Sequence, residues 1–112
     1  MQVMYLWRPT KPPEQPKAEL LKFIEECQKS GKLVQTGGWD PHGPSTLITS
    51  RQGKITVTDG PFAETKEVIA GFAIMNVKDK AEGIALGKRF LELAGDGISE
   101  MRELHAQHPG NS

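Results

Sequence analysis

Residues 69–77 read Ile-Ala-Gly-Phe-Ala-Ile-Met-Asn-Val, apolar or glycine at every position except Asn76. Extended, the segment turns Ile69, Gly71, Ala73, Met75 and Val77 to one face and Ala70, Phe72 and Ile74 to the other. A strand of this kind, beginning at Glu67 or Val68, needs cover on both faces. Cover for one face follows at once in the chain. Asp79 and Glu82 have the spacing of a capping box. Steps of about 100° per residue to Ala94 gather Gly83, Ile84, Leu86, Gly87, Phe90, Leu91, Leu93 and Ala94 on one half of a helix, opposite Glu82, Lys88, Arg89 and Glu92. Gly83 and Gly87 each cost about 1 kcal/mol of helix propensity relative to alanine. Their place inside the apolar half predicts a close approach of helix to sheet.

Upstream, Gln2 to Trp7 is β-prone, and Arg8-Pro9-Thr10-Lys11-Pro12-Pro13 is expected to end the ladder and form an exposed loop. From Pro16, the spacing of Leu20, Phe23, Ile24 and Cys27 predicts a helix that stops before Gly31. Lys32–Thr36 and Ser45–Thr49 are short strand candidates around a Gly- and Pro-rich stretch, residues 37–44, predicted to lack regular structure. Arg51-Gln52-Gly53 reads as a hairpin connection into a strand over Lys54–Thr58. After Gly95 and Gly97, Ile98–Leu104 is a last strand, and 105–112 a flexible tail.

The order β-α-β, hairpin, β-α-β predicts a single α+β domain over residues 1–112, ferredoxin-like, with two helices on one face of an antiparallel sheet. Two helices leave the second face of the 69–77 strand open. A homodimer packed sheet against sheet would bury it, and should exceed roughly 1,000 Å² of total interface to be stable. The alternative is that the 37–45 loop folds over the face.

The 112 residues carry 14 basic and 14 acidic side chains, so no large positive field awaits a phosphate backbone and nucleic acid is not an expected partner. The longest apolar run, Ile69–Met75, falls far short of the roughly 20 residues that cross a bilayer, and the expectation is no membrane partner and a cytoplasmic location. Cys27, the one cysteine, falls within the first helix's apolar stripe and reads as a core thiol.

Chemistry concentrates in Val57-Thr58-Asp59-Gly60-Pro61-Phe62-Ala63-Glu64-Thr65-Lys66-Glu67, where Asp-Gly-Pro ends the strand and fixes Asp59. This run, followed by Ala70-Gly71-Phe72, resembles the signature of the DGPF group of YCII-related proteins. The resemblance implies the dimeric α+β barrel superfamily, in which two ferredoxin-like domains pair their sheets. The wider family has a suspected pairing of an aspartate, here Asp59, with a histidine near the first helix; Met1–Ser30 contains no histidine, so that pair does not carry over. Some DGPF members are encoded near, or fused to, alternative sigma factors, which implies a sensory or regulatory protein-interaction role as the competing reading.

Asp59 is the candidate catalytic base, weighed against a carboxylate that only satisfies its own turn. Glu64, Lys66 and Glu67 can orient a small polar ligand or tune Asp59, or form a solvated face; Phe62 completes the candidate binding set. His42, with Trp39 and Asp40 on the Gly-Pro loop, is a second catalytic candidate, weighed against ordinary loop chemistry. Arg8 can neutralise an acidic ligand or stack on Trp7 or Tyr5. No cluster with metal-ligand spacing and no phosphate loop or nucleophile elbow appears, so cofactor-free binding of a small polar metabolite, with or without acid-base catalysis, is the expectation.

Overall fold

The computed structural model describes residues 1–11, 16–60 and 69–105. Its elements are β1 (Gln2–Pro9), α1 (Ala18–Lys29), β2 (Leu33–Gly38), β3 (Thr46–Arg51), β4 (Lys54–Asp59), β5 (Gly71–Asn76), α2 (Lys80–Ala94) and β6 (Gly97–Leu104). Strands β2, β5, β1 and β6 form, in that order, a four-stranded antiparallel sheet, while β3 and β4 form a separate two-stranded ribbon. This is the α+β, ferredoxin-like arrangement expected from the element order, with the hairpin set apart from the main sheet.

The strand expected to run to Val77 from Glu67 or Val68 is shorter, Gly71–Asn76, with Ile69, Ala70 and Val77 outside it. Two other expected boundaries move, each for a local reason. β1 runs on through Arg8 and Pro9, which pair with Ile98 and Gly97. The Trp7 carbonyl accepts from the Ala70 N–H on the β5 side, so by alternation Arg8 points its polar groups toward β6 and Pro9 points away from it. The proline's missing donor lies where β5 has already left the sheet, and the pairing costs nothing. Gly37 and Gly38, expected in a loop, complete β2 opposite Phe72 and Gly71. A side chain at Gly37 would meet the Phe72 ring at 2.8 Å. Glycine there lets the ring lie across the strand.

The Asp59 and Thr46 rung closes one end of the ribbon, and Gln52 and Gly53, both at positive φ, form its tight turn. Asp79 caps α2 as its spacing with Glu82 predicts: its Oδ1 accepts from the Glu82 N–H at 2.9 Å. Glu82 reaches back to the Lys78 N–H rather than to the cap residue, and its second oxygen pairs with Lys32 Nζ at 2.9 Å. The Lys78 N–H first, then Lys32, hold the Glu82 carboxyl below the usual carboxylate range.

The core lies toward one end of the sheet. Val3, fully buried, pairs with Met75, and Val77 and Cys27 complete the cluster with Phe23 and Leu33 against it. Tyr5 joins this core to α2 by donating its hydroxyl to the Gly83 carbonyl at 2.7 Å. The two helix glycines make room for the contact: a Cβ at Gly87 would stand 3.3 Å from the Tyr5 ring, and one at Gly83 2.8 Å from Met101 Sδ. Burial first, then nearby Cys27 and Glu82, push the Tyr5 phenol up to about 12.

That shift fixes a pH dependence. Below the ordinary phenol value of about 10, Tyr5 is neutral in both states; between there and about 12 the unfolded chain ionises while the folded one keeps its proton. Stability is lost as pH rises through that window. Near neutral pH, Tyr5→Phe is expected to cost about 1 kcal/mol, the net worth of its hydrogen bond. Near pH 11.5 the wild type should have lost about 2 kcal/mol that the variant keeps, so the order of stabilities reverses. Urea midpoints of the two proteins at both pH values check this.

Candidate functional site

A cavity of about 720 Å³ opens between the helices and the strands, from Tyr5, Cys27 and Met75 of the core to Trp7, Gly71 and Ser99. Its cause is residue size. On β5, Gly71 and Ala73 stand opposite Trp7 and Tyr5 of β1, and Ser99 of β6 stands opposite Trp7 on the other side. Small residues thus floor the space that Leu20, Phe23 and Ile24 of α1 and Leu86, Phe90 and Leu93 of α2 roof with large apolar ones. The volume is that of a typical small-molecule site.

Polar chemistry in the wall is sparse and specific. Trp7 packs edge-on against Phe90, with centroids 5.5 Å apart and ring planes at 89°. Its Cε3 edge lies toward Gly71, so the nitrogen is on the opposite edge of the indole. The Trp7 Nε1–H is shielded from solvent and has no acceptor among the described residues. Unpartnered buried donors are rare because each forfeits its hydration, at a cost of about 1–3 kcal/mol. Cys27 also lines the cavity, its thiol pushed up by burial despite the opposing charge of Lys32. Exposed Lys11, Lys17 and Asp96 mark the mouth. Lys17 precedes the first turn of α1 without a side-chain cap, and the Thr10 N–H donates to the Asp96 carbonyl at 3.0 Å, joining two sides of the opening.

The residues singled out in the sequence lie elsewhere. Asp59 ends β4 on the ribbon, exposed, with its Oδ1 accepting from the Thr46 hydroxyl at 2.8 Å. Asp40 Oδ1 accepts from the His42 N–H at 2.9 Å, an Asx turn in the loop. Neither Asp59 nor His42 is among the residues lining the cavity. Trp39 lies tilted over Phe72 at 6.4 Å, on the sheet face away from the helices. Arg8 is on that same open face and pairs with Glu100 at 2.9 Å rather than stacking on Trp7 or Tyr5. Arg102 Nε, at 2.6 Å, takes the other Glu100 oxygen, and Arg102 first, then Arg8, hold that carboxyl below its usual range. Phe62, Glu64, Lys66 and Glu67 lie outside the described residues, as does 106–112 of the expected tail. The cavity residues were missed because a helix stripe and a glycine-containing strand look the same whether they pack tightly or leave a gap. The one available signal was Gly71 and Ala73 alternating on the face that large helix residues cover.

Among the described residues, no three His, Cys, Asp or Glu side chains come together to hold a metal ion. No described helix is long and apolar enough to cross a membrane.

A ferredoxin-like α+β domain with a ligand-sized cavity between its layers is the class that fold and site define. Residues 2–105 match the family model of the YCII-related domain, and the chain belongs to that family. It is also similar to an uncharacterized protein of Rhizobium meliloti (strain 1021), 29% identical over 90 residues that make up 80% of this chain and 69% of that protein.

Proposed function

We propose that this chain is a homodimeric binding domain for a small amphipathic molecule, held with its apolar body in the helix–sheet cavity and its polar end at the mouth. The observation that carries the reading is Trp7, whose ring lines an apolar cavity and whose shielded Nε1–H lacks an acceptor among the described residues. A small turn of the indole toward the cavity would let a ligand carbonyl or carboxylate oxygen satisfy it, and the ammonium groups at Lys11 and Lys17 favour a ligand that is anionic at its outer end. The sequence pointed to a polar metabolite beside Asp59; these walls suit a molecule with a larger apolar part. Asp59 sits on the ribbon, so this is a reading of binding and asks no proton transfer of that carboxylate. The homodimer is part of the same proposal, and its support is the open face of the sheet, where Leu6, Phe72 and Ile74 have no helix over them.

The test is a thermal-shift screen of small aromatic and aliphatic carboxylates against the wild type, Ala73→Leu, Trp7→Phe and Asp59→Asn. Ala73→Leu fills the floor and should abolish the shift. Trp7→Phe keeps the ring without the donor and should weaken binding about 2- to 10-fold, the worth of one hydrogen bond. Asp59→Asn should leave binding unchanged. Hits that survive Ala73→Leu but disappear with Asp59→Asn would move the site to the turn after β4 and overturn the cavity reading.

A further inference from the structure

Among the described elements, the β3–β4 ribbon is the one that the rest of the chain leaves least covered. All twelve of its residues are exposed. By register, Ile48, Val57 and Ile55 share one side of it, and they remain 73%, 65% and 67% exposed. A lone two-stranded ribbon is at best marginally stable in water, so this one needs a surface to lie on.

We infer that the aliphatic side of the ribbon docks on a second copy of this chain, so that each protomer clasps the other with an arm. The inference rests on the homodimer proposed above and follows from area. Four strands about 4.8 Å apart, six to eight residues long, present a sheet face of about 20 by 23 Å; two such faces together bury only about 800–900 Å². That is the size of an incidental contact rather than a stable interface. One side of the ribbon is about 20 Å long and roughly 10 Å wide. Two arms and the surfaces they cover contribute about 800 Å² more, bringing the total to roughly 1,600 Å², the standard size of a specific complex. The arm also starts in the right place. It follows β2, an edge strand of the sheet, just after Trp39 reaches over Phe72 on the open face.

Sedimentation equilibrium of the wild type and of the triple variant Ile48→Thr, Ile55→Thr, Val57→Thr tests the inference. Threonine keeps the β-branched shape of the strand while removing the apolar contact. The variant's dissociation constant should rise at least about 100-fold, while Leu47→Thr, on the opposite side of the ribbon, should change it little. Hydrogen exchange on the wild type needs no variant: amides of 46–51 and 54–59 should be protected above the dissociation constant and lose protection on dilution below it. A dimer whose affinity is indifferent to the triple variant, or ribbon amides that exchange fast at every concentration, would overturn the clasp and leave the dimer standing. A monomeric wild type at high micromolar concentration would overturn both.

Discussion

Val3→Ala is expected to lower stability by about 2–3 kcal/mol, which for a domain of this size is a fall of roughly 10–15 °C in melting temperature. Among the described residues, Val3 is the only large side chain that is fully buried. It sits between Met75 and Glu103 on the neighbouring strands and belongs to the cluster with Tyr5, Cys27 and Val77. Removing two methyl groups there forfeits their transfer energy and leaves a void that paired strands on both sides cannot close. The same truncation at Val34, an exposed residue beside an irregularity in β2, should change stability by less than about 0.5 kcal/mol. Thermal melts of the two variants side by side measure the contrast.

The second large effect comes from adding atoms. A Cβ at Gly97 would lie 2.6 Å from the Arg8 carbonyl oxygen and 2.9 Å from Pro9 Cα, both backbone atoms of the paired strand. Backbone in a ladder cannot step aside as a side chain does, so Gly97→Ala should cost about 2 kcal/mol and loosen the β1–β6 end of the sheet. Gly83→Ala is the informative comparison. Its Cβ would come just as close to a neighbour, 2.8 Å, but that neighbour is the thioether sulfur of Met101, which can swing away. The gain of about 1 kcal/mol in helix propensity then offsets the displacement, and the variant should melt within a few degrees of the wild type. Loss of hydrogen-exchange protection at Arg8 and Thr10 in Gly97→Ala, but not in Gly83→Ala, would localise the damage. Equal destabilisation by both would show that Met101 is as immobile as backbone.

The architecture was legible because its signals are periodic and local. The helix stripe through Leu20, Phe23, Ile24 and Cys27, the Asp79 cap with Glu82, and the Gln52-Gly53 turn each need only a few neighbouring residues to be read. What escaped depends on partners distant in sequence. Whether Pro9 can stay in a strand is decided by where β5 departs, and whether Gly37 is loop or ladder by the Phe72 ring across from it. The site was harder still. Charge drew attention to the run after Asp59, while the cavity is made by the absence of side-chain volume at Gly71, Ala73 and Ser99, which no single residue announces. Arg8, proposed for an anion, is occupied by Glu100, a residue 92 positions away that sequence spacing had no means of pairing with it.

The cavity shares Tyr5, Cys27 and Met75 with the core cluster, but Val3 and Val77 of that cluster do not line it, and Trp7, Gly71 and Ser99 of the cavity do not belong to the cluster. A lineage of such domains could therefore exchange side chains around Trp7, Gly71 and Ser99, and with them the molecule it receives, while the Val3 end went on holding the fold unchanged. Diversification of ligand preference would draw little on the margin of stability, and a laboratory seeking new specificities from this scaffold would do best to randomise the Trp7 end alone.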